Sequence, residues 1–205
     1  MKERDTEGNK LFPIFLKLDT LKVLVVGGGN VALEKINALL GNSPETEITL
    51  VAPAILPKIE EIAYRYQNVK LKKRIFFSGD LYSSDLVVVA TGNYELNKII
   101  KAEAQKQKIL VNVADTPELC DFHLGSIVKK GDLKIAISTN GKSPTLAKRV
   151  KEILNDALPN EVQEVLDNLE QIRRKLKGNF SEKVKKLNEI TSVMAVTSAG
   201  SVTDI

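Results

Sequence analysis

The organising segment of this chain reads Lys22-Val23-Leu24-Val25-Val26-Gly27-Gly28-Gly29-Asn30-Val31-Ala32. An apolar, β-branched run stops at three glycines, and apolar side chains then recur at helical spacing as far as Leu40. A strand, a glycine turn and a helix form the context in which Gly27-x-Gly29-x-x-Ala32 predicts a dinucleotide-binding fingerprint.

Each position of this fingerprint has a physical role. Gly27 allows the tight turn, Gly29 lets the backbone approach a pyrophosphate, and Ala32 keeps the helix close to the strand. The start of the helix offers N–H groups and a partial positive charge to the phosphates. Since glycine turns also serve as plain connectors, a purely structural turn is the alternative interpretation.

The composition is that of an ordinary globular protein, with 43% apolar and 27% charged residues among 205. No apolar run approaches the ~20 residues that a membrane span needs. The polar N-terminus predicts a cytoplasmic protein without a signal peptide.

Cys120 is the only cysteine, which excludes an intrachain disulfide and a thiolate zinc cluster. A net charge of +4 suits a polyanionic small molecule, whereas few aromatics and dispersed basic residues argue against nucleic acid.

Strands and helices alternate up to Asp115, which predicts a parallel, doubly wound sheet. Strands are expected at Lys22–Val26, Ile48–Ala52, Val69–Phe77, Asp85–Thr91 and Ile109–Ala114. Ligands of such sheets bind beyond the carboxyl ends of the strands. The glycine turn, Pro53-Ala54, Thr91 and Asp115 are therefore expected along one edge of the sheet.

The residues after the second strand lack one part of the fingerprint. An acidic side chain there commonly binds the adenosine ribose, but this chain has Val51-Ala52-Pro53-Ala54. Backbone groups are then expected to hold the ribose, and the choice between NAD and NADP stays open.

Two terminal regions complete the coarse prediction. Near the N-terminus, Leu11–Leu18 is an apolar segment that predicts an edge strand or a cover over the sheet. Ser126–Lys130 and Leu133–Ser138 predict a hairpin that adds to a sheet of this chain or of a second subunit. Ser143 then caps a helix that begins at Pro144, and further helices and a loose tail complete the chain.

Four segments resemble the precorrin-2 dehydrogenase module of siroheme synthases over residues 11 to about 160. They are Leu11–Phe15, Val25–Ala32, Val111–Asp115 and Leu133–Pro144. The glycine turn is shared by many families. The Asn-Val-x-Asp element and the Ser-Thr-x-Gly-Lys-Ser-Pro segment are far more specific in this order and spacing.

The resemblance implies a NAD-dependent oxidation of precorrin-2 to sirohydrochlorin, with ferrous iron insertion in some members. It also implies a homodimer and a three-part architecture. Residues 1–115 would form a Rossmann NAD-binding domain, 116–150 a dimerisation segment, and 151–205 a helical C-terminal domain.

The resemblance also implies site residues. Asp115 matches the catalytic carboxylate, which would accept a proton or orient the ring nitrogens. The polar loop would receive substrate carboxylates, through Asn140, Gly141, Lys142 and Ser143. The resemblance adds Asn30, Val31, Pro53 and Ala54 as cofactor contacts to those expected from the fingerprint and the strand ends, which are Gly27, Gly28, Gly29, Thr91 and Val113.

His123 and Gly125 depart from the pattern, standing where an apolar residue and a proline are expected. His123 is the only histidine, so no multi-histidine metal site can form within one chain, and no metal site is predicted. Two other functions remain open. One is a nucleotide-sensing regulatory module, and the other is a chelatase that has lost its dehydrogenase activity.

Overall fold

The computed structural model describes residues 8–176 and 180–196. The chain divides into two compact units, and these cut across the boundaries predicted at 115 and 150. The first unit comprises residues up to Gly125 together with Ser138–Lys142, and the second comprises Ser126–Ile137 and the residues from Ser143 onward. The three functional segments predicted from the sequence stay a prediction.

Within the described residues, the first unit is built on one parallel sheet flanked by three α-helices. The strands are β1 (Lys22–Val26), β2 (Glu47–Val51), β3 (Val69–Lys72), β4 (Leu86–Val89) and β5 (Leu110–Val113). The helices are α1 (Asn30–Asn42), α2 (Pro57–Arg65) and α3 (Tyr94–Lys106). The strand order β3-β2-β1-β4-β5 confirms the predicted Rossmann-type sheet.

Strand β1 lies at the centre because its apolar side chains can be buried on both faces of the sheet. Val25 pairs with Leu50 on one side and with Val88 on the other. Val23 and Val25 pack with α1 and α2, whereas Leu24 and Val26 pack with α3. The strand order reverses between β1 and β4, and ligands of doubly wound sheets bind at such a switch point.

Two predictions about the first unit are wrong. Strand β3 ends at Lys72, five residues before the expected end, because Arg74 and the Phe77 N–H turn aside to bind the buried carboxylate of Asp80. The apolar N-terminal segment is not a strand, and of its residues only Leu18 packs against the core. It is irregular up to Lys17, and Phe12 and Phe15 are 85% and 67% exposed.

The second unit contains an antiparallel hairpin and three helices. These are β6 (Ser126–Lys130), β7 (Leu133–Ile137), α4 (Pro144–Ala157), α5 (Val162–Lys175) and α6 (Phe180–Val196). The predicted hairpin is confirmed, but in the described chain it forms a two-stranded sheet of its own. The helical C-terminal region is confirmed as well. The predicted loose tail, residues 191–205, is wrong for residues 191–196, which belong to α6, and residues 197–205 lie outside the described residues.

The hairpin turn is held by α5. Gly131 has a φ of +59°, and a Cβ there would lie 2.0 Å from the side-chain oxygen of Gln163. That oxygen accepts the Asp132 N–H at 2.7 Å, and the Gln163 amide donates back to the Asp132 carboxylate at 3.0 Å. No helix of the described residues is long and apolar enough to cross a membrane.

Candidate functional site

The first two glycines of the fingerprint are required by the fold itself. Gly27 has a φ of +121°, and a Cβ there would lie 2.2 Å from the carbonyl oxygen of Ala90. A Cβ on Gly28 would lie 2.1 Å from the carbonyl oxygen of Ala54. Any larger residue at either position would push apart the loops that come after β1, β2 and β4.

Gly29 is different, because nothing in the described protein requires a glycine there. A Cβ on Gly29 would have no neighbour within 4 Å, and its φ of −92° suits any residue. Gly29 is the N-cap of α1, where no side chain caps the helix and the first turn holds no acidic residue. Open space in front of an uncapped helix start fits the pyrophosphate of a dinucleotide.

The loop after β2 offers backbone rather than charged side chains. Pro53 and Ala54 come after the strand, and the Leu56 N–H donates to the Gly28 carbonyl at 2.9 Å. This bond fixes the loop against the glycine turn. The loop therefore offers backbone groups and no acidic side chain where the ribose is expected to bind, and this mode of binding stays a prediction.

Three basic residues lie at and just beyond the end of β3, and each is paired with a carboxylate. Arg74 donates to Asp80 at 2.8 Å, Lys72 lies 3.4 Å from the same carboxylate, and Lys73 lies 3.3 Å from Glu60. Burial opposes ionisation of Asp80, but the hydrogen bonds from Arg74 and from the Phe77 N–H outweigh it. The pKa of Asp80 is thus held below its usual range.

Thr91 is held rigidly at the end of β4. Its hydroxyl donates to the side-chain oxygen of Asn97 at 2.5 Å and accepts the Asn93 N–H at 3.1 Å. Asn93 in turn caps α3 by accepting the Leu96 N–H at 3.1 Å. Sequence reasoning missed Asn97, which is 4% exposed. The available signal was a polar residue on the apolar face of α3, in line with Ile100 and Ala104.

Asp115 occupies a strained turn directly after β5. Its φ is +57°, a left-handed conformation that few residues other than glycine adopt. The Thr116 N–H donates to the Val113 carbonyl at 3.3 Å and closes the turn around Asp115. The carboxylate is exposed. Strain of this kind clusters at functional sites, where the surrounding structure enforces it.

The predicted substrate loop has the same backbone feature and lies beside this turn. Asn140 and Gly141 have φ values of +54° and +74°, and the Lys142 N–H donates to the Thr139 carbonyl at 3.0 Å. A Cβ on Gly141 would lie 3.9 Å from Pro117, two residues after Asp115. The first unit therefore brings this loop and Asp115 together.

The remaining predicted residues have other surroundings. Ser143 belongs to the second unit, where its hydroxyl caps α4 by accepting the Leu146 N–H at 3.1 Å. The Val113 side chain is buried in the core, which leaves only its backbone at the edge of the sheet. His123 is half-buried in irregular chain. Among the described residues, no group of three or more His, Cys, Asp or Glu side chains could hold a metal ion.

Two family models match this chain. Residues 14–126 match the family described as "Putative NAD(P)-binding", which confirms the predicted nicotinamide cofactor at the level of the family. Residues 130–157 match the family described as "Sirohaem biosynthesis protein central".

Solved and curated proteins agree with these matches. A solved structure named "SirC, precorrin-2 dehydrogenase" superposes with a TM-score of 0.70 at 31% identity, covering 88% of this chain and 89% of that one. A siroheme synthase of Pseudoalteromonas atlantica is 37% identical over 175 residues, and one of Pseudoalteromonas translucida is 38% identical over 168. The two matches include 85% and 82% of this chain, but only 37% and 35% of the respective synthases. The chain therefore spans little more than a third of the length of these relatives.

Proposed function

This chain belongs to the precorrin-2 dehydrogenase family, and we propose that it oxidises precorrin-2 to sirohydrochlorin with NAD as the oxidant. Two features of the first unit carry the proposal. The start of α1 at Gly29 is open and uncapped, and Asp115 presents a carboxylate from a strained, left-handed backbone. The first fits a dinucleotide, and the second supplies a base at the same edge of the sheet.

The residues of the chain divide the chemistry between them. When bound, NAD supplies the hydride acceptor, since the cofactor carries the redox chemistry. The N–H groups at the start of α1 bind its pyrophosphate. The oxidation breaks one C–H bond of the substrate with loss of hydride and releases one proton. The Asp115 carboxylate accepts that proton and, being exposed, passes it to water.

The polar loop is proposed to bind the substrate carboxylates, mainly through the ammonium group of Lys142. The backbone N–H groups of Asn140 and Lys142 are used inside the loop, by the Ser138 hydroxyl at 3.2 Å and the Thr139 carbonyl at 3.0 Å. They are therefore not the donors that the substrate needs. A charged donor makes the stronger contact with a carboxylate in any case.

NAD is proposed over NADP because the basic side chains at the end of β3 are already paired with carboxylates. NADP-binding sheets commonly place an arginine near the 2′-phosphate. Here Lys72 and Arg74 are engaged by the buried Asp80, and Lys73 by Glu60. Recruiting Arg74 would leave Asp80 buried with one cation fewer, which is costly.

Insertion of ferrous iron into sirohydrochlorin is the second activity that the resemblance implies. Proton removal from the pyrrole nitrogens also needs a base, and Asp115 is the group proposed for it. The predicted cytoplasmic location stays a prediction.

The decisive experiment is an anaerobic incubation of the protein with precorrin-2 and NAD, monitored by the visible absorption of sirohydrochlorin. Ferrous iron is then added to test for siroheme. Formation of sirohydrochlorin that depends on both protein and NAD is the expected result. NAD binding without turnover would instead support the regulatory module. Siroheme formation only when sirohydrochlorin itself is supplied, with no reduction of NAD by precorrin-2, would support the chelatase.

Assembly as a homodimer is proposed from the second unit. Among its described residues only Val128 and Ala147 are buried apolar side chains, too few to stabilise a hairpin and its helices alone. Helix α4 carries Leu146 and Ile153, 55% and 57% exposed, at a spacing of one helical face. A second copy of the same unit is the proposed cover for this face.

We expect sedimentation to find a dimer at micromolar concentration and Ile153→Glu to dissociate it, because a charge would be buried in an apolar interface. Ile99→Glu is the matched control, since Ile99 is equally 57% exposed but lies on α3 of the first unit. A monomeric parent protein contradicts the proposal, and so does an Ile153→Glu variant that remains dimeric.

A further inference from the structure

The chain after Asp115 returns along the open edge of the parallel sheet. The Asp121 N–H donates to the Val111 carbonyl at 2.7 Å, and the Asp121 carboxylate accepts the Val111 N–H at 2.9 Å. Lys101 of α3 forms an ion pair with the same carboxylate. The Val111–Asp121 pair therefore closes a segment that contains the end of β5 and the Asp115 turn.

The inside of this segment is filled by the thiol of Cys120. The sulphur accepts the Val113 N–H at 3.2 Å and lies 3.2 Å from the Val113 carbonyl and 3.4 Å from the Thr116 carbonyl. Its single proton can be shared between these two oxygens. Burial raises the pKa of Cys120, which keeps the thiol protonated and able to donate.

Asn112 fixes the segment that carries this cysteine. Its side chain is 6% exposed, and its amide donates to the Phe122 carbonyl at 2.9 Å. The same nitrogen lies 3.6 Å from the sulphur of Cys120. Asn112 therefore holds the returning chain at the distance at which the thiol reaches the Asp115 turn.

The geometry points to Cys120 and Asn112 as positioning residues that hold Asp115 in its catalytic orientation. This inference rests on the proposed function, in which Asp115 is the base. The alternative is that the returning chain only covers the open edge of β5, and for that role bonds to β5 alone would be enough. Cys120 also bonds Thr116, so its contacts lie on both sides of the left-handed residue. A strained residue persists only where its surroundings over-determine it.

The test measures steady-state kinetics and NAD affinity for Cys120→Ala and Cys120→Ser. We expect Cys120→Ala to lower kcat by about tenfold without changing the KM for precorrin-2 or the affinity for NAD, because a small displacement of a catalytic group reduces the rate steeply. Cys120→Ser keeps a donor and an acceptor at the same place and should recover most of the loss. Asn112→Ala, a second variant should Cys120→Ala fail to fold, is expected to lower kcat in the same way.

Thr46→Val is the matched control, because Thr46 is also a buried polar residue of the first unit. Its hydroxyl donates to the Ser43 carbonyl at 2.8 Å, beside the amino end of β2 and far along the strands from Asp115. It should lose stability without losing kcat. In an Asp115→Asn background, Cys120→Ala should have no further effect, since a positioning residue acts only through the group it holds.

Two results would overturn the inference in distinguishable ways. The first is that Asp115→Asn lowers turnover while both Cys120→Ala and Asn112→Ala keep the parental kcat. Asp115 would then remain the proposed base, but Cys120 and Asn112 would not be positioning residues. If Asp115→Asn itself keeps normal turnover, the proposed role of Asp115 fails and the inference fails with it.

Discussion

Replacing Gly29 with aspartate is expected to abolish NAD binding while the protein stays folded. The Cβ would enter open space, so no neighbour has to move. A carboxylate at the N-cap of α1 would accept the helix N–H groups that the pyrophosphate needs, and it would repel the phosphates. An N-cap aspartate stabilises a helix, so the melting temperature should be unchanged or slightly higher. Calorimetric titration with NAD and a thermal unfolding curve measure the two effects.

Gly27→Ala separates the cofactor role from the structural one. Its Cβ would lie 2.2 Å from the Ala90 carbonyl, at a φ of +121°, so this variant should lose stability by several degrees of melting temperature or fail to fold. Gly29→Ala, which adds only a methyl group, should remain as stable as the parent. A folded Gly29→Asp protein with the parental NAD affinity would show that the pyrophosphate is not bound at this turn.

The sheet could be predicted from the sequence because its strands are short apolar runs whose neighbours are all in the same chain. Residues Val23–Val26 and Leu86–Val89 are buried on both faces, and such strands appear as continuous apolar runs. The cap at Ser143 and the proline at Pro144 predicted the start of α4 correctly. The cofactor edge could be predicted from the same pattern, since parallel strands bring their carboxyl ends together.

The end of β3 and the support of Thr91 could not be predicted, because each depends on a polar contact between distant residues. Arg74 leaves the strand direction only because Asp80 is buried beside it. Asn97 is a helix residue whose partner Thr91 lies on another element. Periodicity reports which side of an element is buried, but it does not report which polar group lies there.

The N-terminal segment and the hairpin show a further limit. Leu11–Leu16 has the composition of a buried strand, yet Phe12 and Phe15 are exposed in the single chain. The hairpin was predicted correctly, yet its unit buries few apolar residues. An apolar pattern predicts burial without specifying whether the covering surface belongs to the same chain. The sequence therefore could not show whether such an apolar segment is buried within its own chain or exposed on it.

Replacing Asp115 with asparagine is expected to lower turnover of precorrin-2 by roughly 10²-fold or more, the range typical of a lost general base. Asparagine tolerates the left-handed backbone that Asp115 adopts, with its φ of +57°, so the turn should keep its shape. NAD affinity should change little, because the pyrophosphate is bound at the start of α1. If iron insertion uses the same base, its rate should fall in parallel. Single-turnover absorbance measurements with precorrin-2 at saturating NAD give the rate of the chemical step.

Asp115→Gly is the companion variant that excludes unfolding as the cause of the loss. Glycine adopts a positive φ without strain, which removes a cost of about 1 kcal/mol from the folded state and offsets the greater freedom of glycine in the unfolded chain. The melting temperature should therefore be unchanged or higher, while the activity falls as far as it does with asparagine. Two stable variants with lost turnover and intact NAD binding would identify the Asp115 carboxylate as the catalytic group. Near-normal turnover in either variant would assign Asp115 a structural role, and the oxidation would then proceed with only the cofactor and the substrate supplying the chemistry.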